Sequence, residues 1–240
     1  MKKLTFLCVA VMVTAALIFN AENLFSQVYQ LENPGFEEWD TNGEPTGWNS
    51  FPSANCTLSS ALCGTAAQTR HERSNDVRNG STGSSCKIFS TSVNLVFTSI
   101  TANGALTSGQ MQLASSSASN VNNCNQTKTS SEEFNHRLNA KPDSIVFWAK
   151  VVNASNNSKA CCHLYIHDNY DLKDPLAANP SGYQSHIVGG VPSYDFANNG
   201  STWQRHSAPI IYEGYSCNDP QFVLITFSTN KDAGGGSGGD

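Results

Sequence analysis

Between Cys161 and Asp168 the chain reads Cys-Cys-His-Leu-Tyr-Ile-His-Asp, which sets two thiols, two imidazoles and a phenol within eight residues. An extended strand alternates its side chains, so Cys162, Leu164 and Ile166 share one face and Cys161, His163, Tyr165 and His167 the other. The first set is a core set. On the second, Cys161, His163 and His167 stand at alternate positions, where a thiolate and neutral imidazoles could chelate one ion. The commoner reading of the same spacing is two histidines on a half-exposed strand beside an oxidised Cys161.

The flanking segments carry aromatic side chains at the same two-residue period. From Ser144 to Val152, Ile145, Phe147, Ala149 and Val151 face inward while Trp148 and Lys150 face outward. Further on, Trp203, Arg205 and Ser207 fall together on one side. A sheet face carrying Trp148, His163, Tyr165, Trp203 and Arg205 would suit a sugar, whose C–H groups stack on aromatic rings while its hydroxyls take polar partners. The alternative is that several of these side chains lie beneath long loops as a secondary core. Tyr170, Tyr183 and Tyr194 in the following segment share both readings.

Catalysis by paired carboxylates needs two acids held about 5–10 Å apart across a cleft. Glu37, Glu38, Asp40, Asp168, Asp171, Asp174, Asp195 and Asp219 are available, and nothing in their spacing selects two. The G-x-S-x-G run at Gly234 to Gly238 lies in a glycine-rich tail without a strand-turn-helix context, so it is no nucleophile elbow. A phosphate-binding glycine loop is likewise missing from the sequence.

These residues need elements to hold them. Apolar or alternating runs bounded by Gly, Pro, Asn and Ser occur from Val28 to Glu32, Cys86 to Val93, Leu95 to Thr101, Ala105 to Leu113, Ser144 to Val152, Cys161 to Asp168, Trp203 to Tyr212 and Phe222 to Thr229. About eight strands joined by polar turns predict an all-β sandwich. Helical periodicity is limited to a turn or two near Ser131 to Leu138. The long segments Trp39 to Ser85, Ala114 to Pro142 and Asn169 to Thr202 read as loops, where binding residues commonly sit.

The 240 residues suit one sizeable domain, and the formal net charge of −5 with only 14% charged residues argues against a nucleic-acid partner, which needs clustered Lys and Arg. Lys2 and Lys3 precede an apolar run from Leu4 to Phe19, the pattern of a secretory signal peptide spanning residues 1–27, with residues 28–240 as the exported domain. The run is short for a membrane span, so the expected location is outside the cell or on its outer surface. Export permits disulfides, and of the seven cysteines after Cys8, Cys56 and Cys63 are the expected pair; the odd total leaves at least one thiol free or paired between chains.

At the start of the exported part, Leu31-Glu32-Asn33-Pro34-Gly35-Phe36-Glu37, then Trp39 and Pro45-Thr46-Gly47-Trp48, resembles the first strand of galactose-binding-like jelly rolls in carbohydrate-binding modules. The resemblance implies a structural calcium ion with Glu37 as a ligand; Glu37 as a solvated or turn-bonding acid is the other reading. With Ala102-Asn103-Gly104-Ala105-Leu106-Thr107-Ser108-Gly109 and Phe222-Val223-Leu224-Ile225-Thr226-Phe227-Ser228, the chain is also similar to the putative carbohydrate metabolism domain of Bacteroidetes. That likeness implies a jelly-roll β-sandwich that binds or processes glycans. Such domains close with a strand like Leu-Tyr-Val-Asp-Asp-Val, which this chain lacks before Asp240.

Together these readings give a secreted or cell-surface module that holds a glycan without turning it over. The alternatives are a glycoside-processing enzyme domain and a structural or adhesive surface protein.

Overall fold

The computed structural model describes residues 29–95, 98–152, 159–197 and 201–236. The expected signal peptide, with Cys8, lies outside them. Residues Leu31–Asp240 gather into one unit.

Among the described residues fifteen strands build it: β1 (Asn55–Cys56), β2 (His71–Ser74), β3 (Ser85–Ile88), β4 (Thr91–Leu95), β5 (Thr98–Ala102), β6 (Ala105–Thr107), β7 (Gln110–Leu113), β8 (Cys124–Gln126), β9 (His136–Arg137), β10 (Ser144–Ala149), β11 (Lys159–His167), β12 (Lys173–Asp174), β13 (Ile187–Ala197), β14 (Gln204–Pro209) and β15 (Phe222–Ser228). Among the described residues one short α-helix, α1 (Ser60–Ala66), follows β1. The architecture is an all-β sandwich, as the turn-punctuated sequence predicts.

Its centre is a five-stranded antiparallel sheet ordered β13-β11-β15-β6, with β9 also pairing β15. On one face of this sheet lies the antiparallel pair β10-β14, and a single bridge from Gly190 to Ile211 links the end of β14 to β13. The chain passes from β10 to β11, runs through β12 to β13 beside β11, returns to β14 beside β10, and enters β15 next to β11, crossing between the layers. On the other face lies the sheet β1-β7-β8-β12, tied down by Asn125 Nδ2 donating to Thr226 Oγ1 at 3.1 Å.

The main core fills the space between β10-β14 and the central sheet. Ile145 and Ala208 meet Cys162, Leu164, Ile166, Val223 and Ile225 there, all buried. The ring of Phe147 touches those of Phe196 and Phe227 edge-on at 5.5 and 5.1 Å. Each fully buried aliphatic side chain contributes about 1.5–3 kcal/mol, which explains why the alternating pattern decides the layer.

The structure corrects several boundaries. Residues 29–32 form no strand; Asn33 instead organises a turn, its Oδ1 accepting from Glu37 N at 3.0 Å and its Nδ2 donating to Thr46 O at 3.1 Å. The run Ala105 to Leu113 splits at Ser108 and Gly109, because the backbone there crowds Gln126: a Cβ on Gly109 would lie 2.5 Å from its carbonyl oxygen. The segment Asn169 to Thr202 is no loop but holds β12 and the eleven-residue β13. Gly189, Gly190 and Pro192 disguise β13 as turn sequence, while pairing with β11 makes it a strand.

The expected Cys56–Cys63 disulfide is present, with Cα atoms 5.8 Å apart across a separation of 7 residues. It staples β1 to α1. Cys86, Cys124, Cys161 and Cys162 are free and at least partly buried, and Cys217 is free and exposed. Among the described residues no helix is long and apolar enough to cross a membrane.

Candidate ligand-binding face

In the β10-β14 pair the register sets Ile145 opposite Ala208 and Phe147 opposite His206 on the core side. Val146 opposite Ser207 and Trp148 opposite Arg205 therefore point outward. Trp148 keeps 44% of its surface exposed and Val146 45%, and Arg205 and Ser207 are exposed beside them. Directly paired residues on an antiparallel ladder have Cβ atoms about 4.5–5.5 Å apart, so the indole and the Arg205 guanidinium share one patch.

Two residues from the turn between β2 and β3 complete that patch. Asp76 Oδ1 accepts from Trp203 Nε1 at 3.0 Å, and its Oδ2 pairs with the Lys150 ammonium. The hydrogen bond from Lys150, then that from Trp203, holds the Asp76 carboxyl below the usual range. Arg78 lies with its guanidinium carbon 5.2 Å from the centroid of the Trp148 ring. Asp76 thus pins the turn to the sheet, and Arg78 extends over the indole. Neither residue stands out in the sequence, because the turn has no periodicity and reaches the face only through the fold.

The other two residues expected on this face are elsewhere. β11 is largely buried on both sides, since β12 and the segments around it lie over its second face and leave only His163 there half-buried. Tyr165 is only 4% exposed and packs with Leu172 and Ile187. His163 Nδ1 donates to Asp174 Oδ1 at 3.1 Å. Burial works against a charge on His163, but the hydrogen bonds to Asp174 and Cys161 and their charges outweigh it, so its pKa is raised. His167, on the same face, behaves oppositely: burial lowers its pKa to about 4. Its Nδ1 donates to the Asp168 carbonyl at 2.8 Å and its Nε2 accepts from Thr127 Oγ1 at 2.9 Å, which fixes a neutral tautomer. The structure therefore joins Trp148, Trp203 and Arg205 and separates them from His163 and Tyr165 by the central sheet.

Those partners also account for the histidines without a metal. No group of three His, Cys, Asp or Glu side chains able to hold an ion occurs among the described residues. The Glu37 carboxylate accepts from Ser84 N at 3.0 and 3.1 Å, and Arg73 Nη2 lies 3.8 Å away. These partners, the Ser84 backbone bond foremost, lower its pKa. Gly83 makes the approach possible, with φ +99° and a would-be Cβ 2.0 Å from Glu37 Oε1. The groups facing Glu37 are donors that suit the anion itself; a calcium ion would have to displace Ser84 and sit beside a guanidinium.

A second polar cluster escaped the sequence reading. His186 Nδ1 donates to Asp168 Oδ1 at 2.9 Å, Tyr170 stacks on the imidazole at 4.2 Å, and Asn218 Nδ2 donates to Asp168 Oδ2 at 2.6 Å. Its members come from three separate segments, so no local pattern could reveal it.

No family model matches the chain, and no curated protein matches it. A solved structure from Bacteroides vulgatus ATCC 8482, described as a "putative glycoside hydrolase", superposes with a TM-score of 0.51 at 18% identity, covering 80% of each chain. That likeness is one of fold: this chain shares the β-sandwich architecture of the Bacteroides protein.

Proposed function

We propose that this chain is an exported β-sandwich that binds a glycan on the outer face of β10-β14, with Trp148 as the stacking platform and Trp203 and Arg205 beside it. The observation that carries this reading is an indole left 44% exposed on a strand pair whose other face is firmly packed. A rigid aromatic loses little entropy on binding and offers a large apolar face. The description of the fold neighbour as a glycoside hydrolase supports the carbohydrate class, and the Cys56–Cys63 disulfide suits an oxidising compartment. Resemblance to the Bacteroidetes domain agrees with both. His163 and Tyr165 drop out of this face because they lie on the other side of the central sheet, where Tyr165 is buried and the half-buried His163 is bonded to Asp174.

The test is a glycan array and insoluble-polysaccharide pull-down with the purified chain, its Trp148→Ala variant, and calcium present or chelated. Specific retention lost in Trp148→Ala is the expected result. Retention that survives Trp148→Ala and Trp203→Ala together would remove this face from consideration. A melting temperature unchanged by chelation would dispose of a structural calcium ion at Glu37.

A glycoside-processing role is the second reading, favoured by the neighbour's description and by the carboxylate-imidazole cluster of Asp168 and His186. Turnover of a glycan that disappears in Asp168→Asn would establish it over simple binding.

A further inference from the structure

We infer that the glycan held on the β10-β14 face is anionic, carrying carboxylate or sulfate groups; this rests on the reading of that face as the glycan site. Two guanidinium groups flank the exposed indole, Arg205 directly across the ladder and Arg78 over the ring at 5.2 Å. Both side chains are exposed, and neither has an ion-pair partner among the described residues. The one carboxylate in the patch, Asp76, is already matched by Lys150 and by the Trp203 N–H. The patch therefore keeps an excess of two positive charges in a chain whose formal net charge is −5.

The placement matters as much as the charge. Asp143, just before β10, is at the far end of that strand; its separation from Trp148 along an extended chain is about 16 Å, beyond the screening length of about 8–10 Å at physiological salt. Asp143 thus does little to cancel the arginines where the indole lies. An arginine stacked on an aromatic ring keeps its in-plane N–H fork free, and that fork matches the two oxygens of a carboxylate or the oxygens of a sulfate. A neutral sugar would use the indole and leave both forks without an ionic partner. An acidic sugar uses all three groups, its ring on the apolar surface and its anionic substituents on the forks.

The inference is tested with three soluble polymers: polygalacturonate for carboxylate, dextran sulfate for sulfate, and unmodified dextran as the neutral backbone of the latter. Affinity electrophoresis or calorimetry is run on the purified chain and on Trp148→Ala, Arg78→Gln, Arg205→Gln and Arg205→Lys, each checked for native circular dichroism. The expected result is binding to polygalacturonate or dextran sulfate but not to dextran. It should weaken about tenfold or more in each Arg→Gln variant and in Trp148→Ala, partly recover in Arg205→Lys, and fall as NaCl is raised. Whichever polymer binds identifies the anionic group.

Polyanion binding that is unchanged in Trp148→Ala would be ion exchange alone and would overturn the inference. Binding of neutral glycans that needs Trp148 but ignores both arginine variants would overturn the anionic preference and leave the glycan face standing. Silence toward neutral and acidic glycans alike from a folded sample would overturn both.

Discussion

Trp148 on β10 and Tyr165 on β11 occupy equivalent places in the sequence pattern, each an aromatic at an outward position of an alternating strand. In the fold they part company. Trp148 is 44% exposed on the outermost layer, whereas Tyr165 is 4% exposed beneath β12 and the residues around it. Alternation assigns a side chain to a face; it does not say whether another layer will cover that face. β11 is the middle of the stack, so both of its faces are interior, and the polar residues of the second face are matched one by one: His163 with Asp174, His167 with Thr127, Thr226 of β15 with Asn125. β10 and β14 have a core on one side only, so their polar and aromatic residues remain free to meet a ligand.

That contrast can be tested by breaking each side. The largest effect is expected where the layers meet: Ile166→Ala removes a fully buried side chain from the main core and should cost about 2–5 kcal/mol in urea unfolding. A loss below about 1 kcal/mol would mean the two layers are not tightly joined there.

Next comes the pH response of the covered face. His167 titrates at about 4 when folded, against an ordinary value of 6.5, so the unfolded chain takes up the proton first. Its contribution is fully present above pH 6.5 and is lost as pH falls toward 4, amounting to about 3 kcal/mol. The His167→Gln variant should show a flatter stability profile across that window; an unchanged slope would refute the buried neutral imidazole.

Asp174→Asn should be milder, about 1–3 kcal/mol, because it leaves the half-buried His163 without the charge of its buried acceptor. The sign of its pH dependence is opposite to that of His167. The raised His163 pKa stabilises the fold fully below the unfolded value of about 6.5 and progressively less as pH rises through the folded value. The difference between wild type and Asp174→Asn should therefore be widest at acidic pH and narrow on the alkaline side, which paired unfolding curves at pH 5.5 and 9 would show.

The smallest effect is expected on the open face. Trp148→Ala should change stability by no more than about 0.5 kcal/mol while abolishing glycan retention. A large stability loss would mean that the indole is part of the packing and not a platform.

Some of this was legible in the residues and some was not. The Cys161 to Asp168 and Phe222 to Thr229 runs pair as β11 and β15 in the central sheet, and Cys56 and Cys63 are bonded. β13 was invisible because Gly189, Gly190 and Pro192 carry turn signals that only the pairing with β11 overrules. The small strands β1, β8, β9 and β12 are too short, at two or three residues, to carry a period. Asp76 and Arg78 joined the candidate face from a turn some 70 residues before β10.

By itself the sequence determined the β class, the alternation that commits Ile145, Phe147, Cys162, Leu164 and Ile166 to one side, and the local disulfide, because each depends on neighbours within a few residues. Only the tertiary structure decided which outward faces stay outward. Burial of Tyr165 and exposure of Trp148 follow from the order in which sheets stack, and the meeting of Arg78, Trp148 and Arg205 follows from a turn docking through Asp76; both are set by long-range pairing that no local spacing encodes.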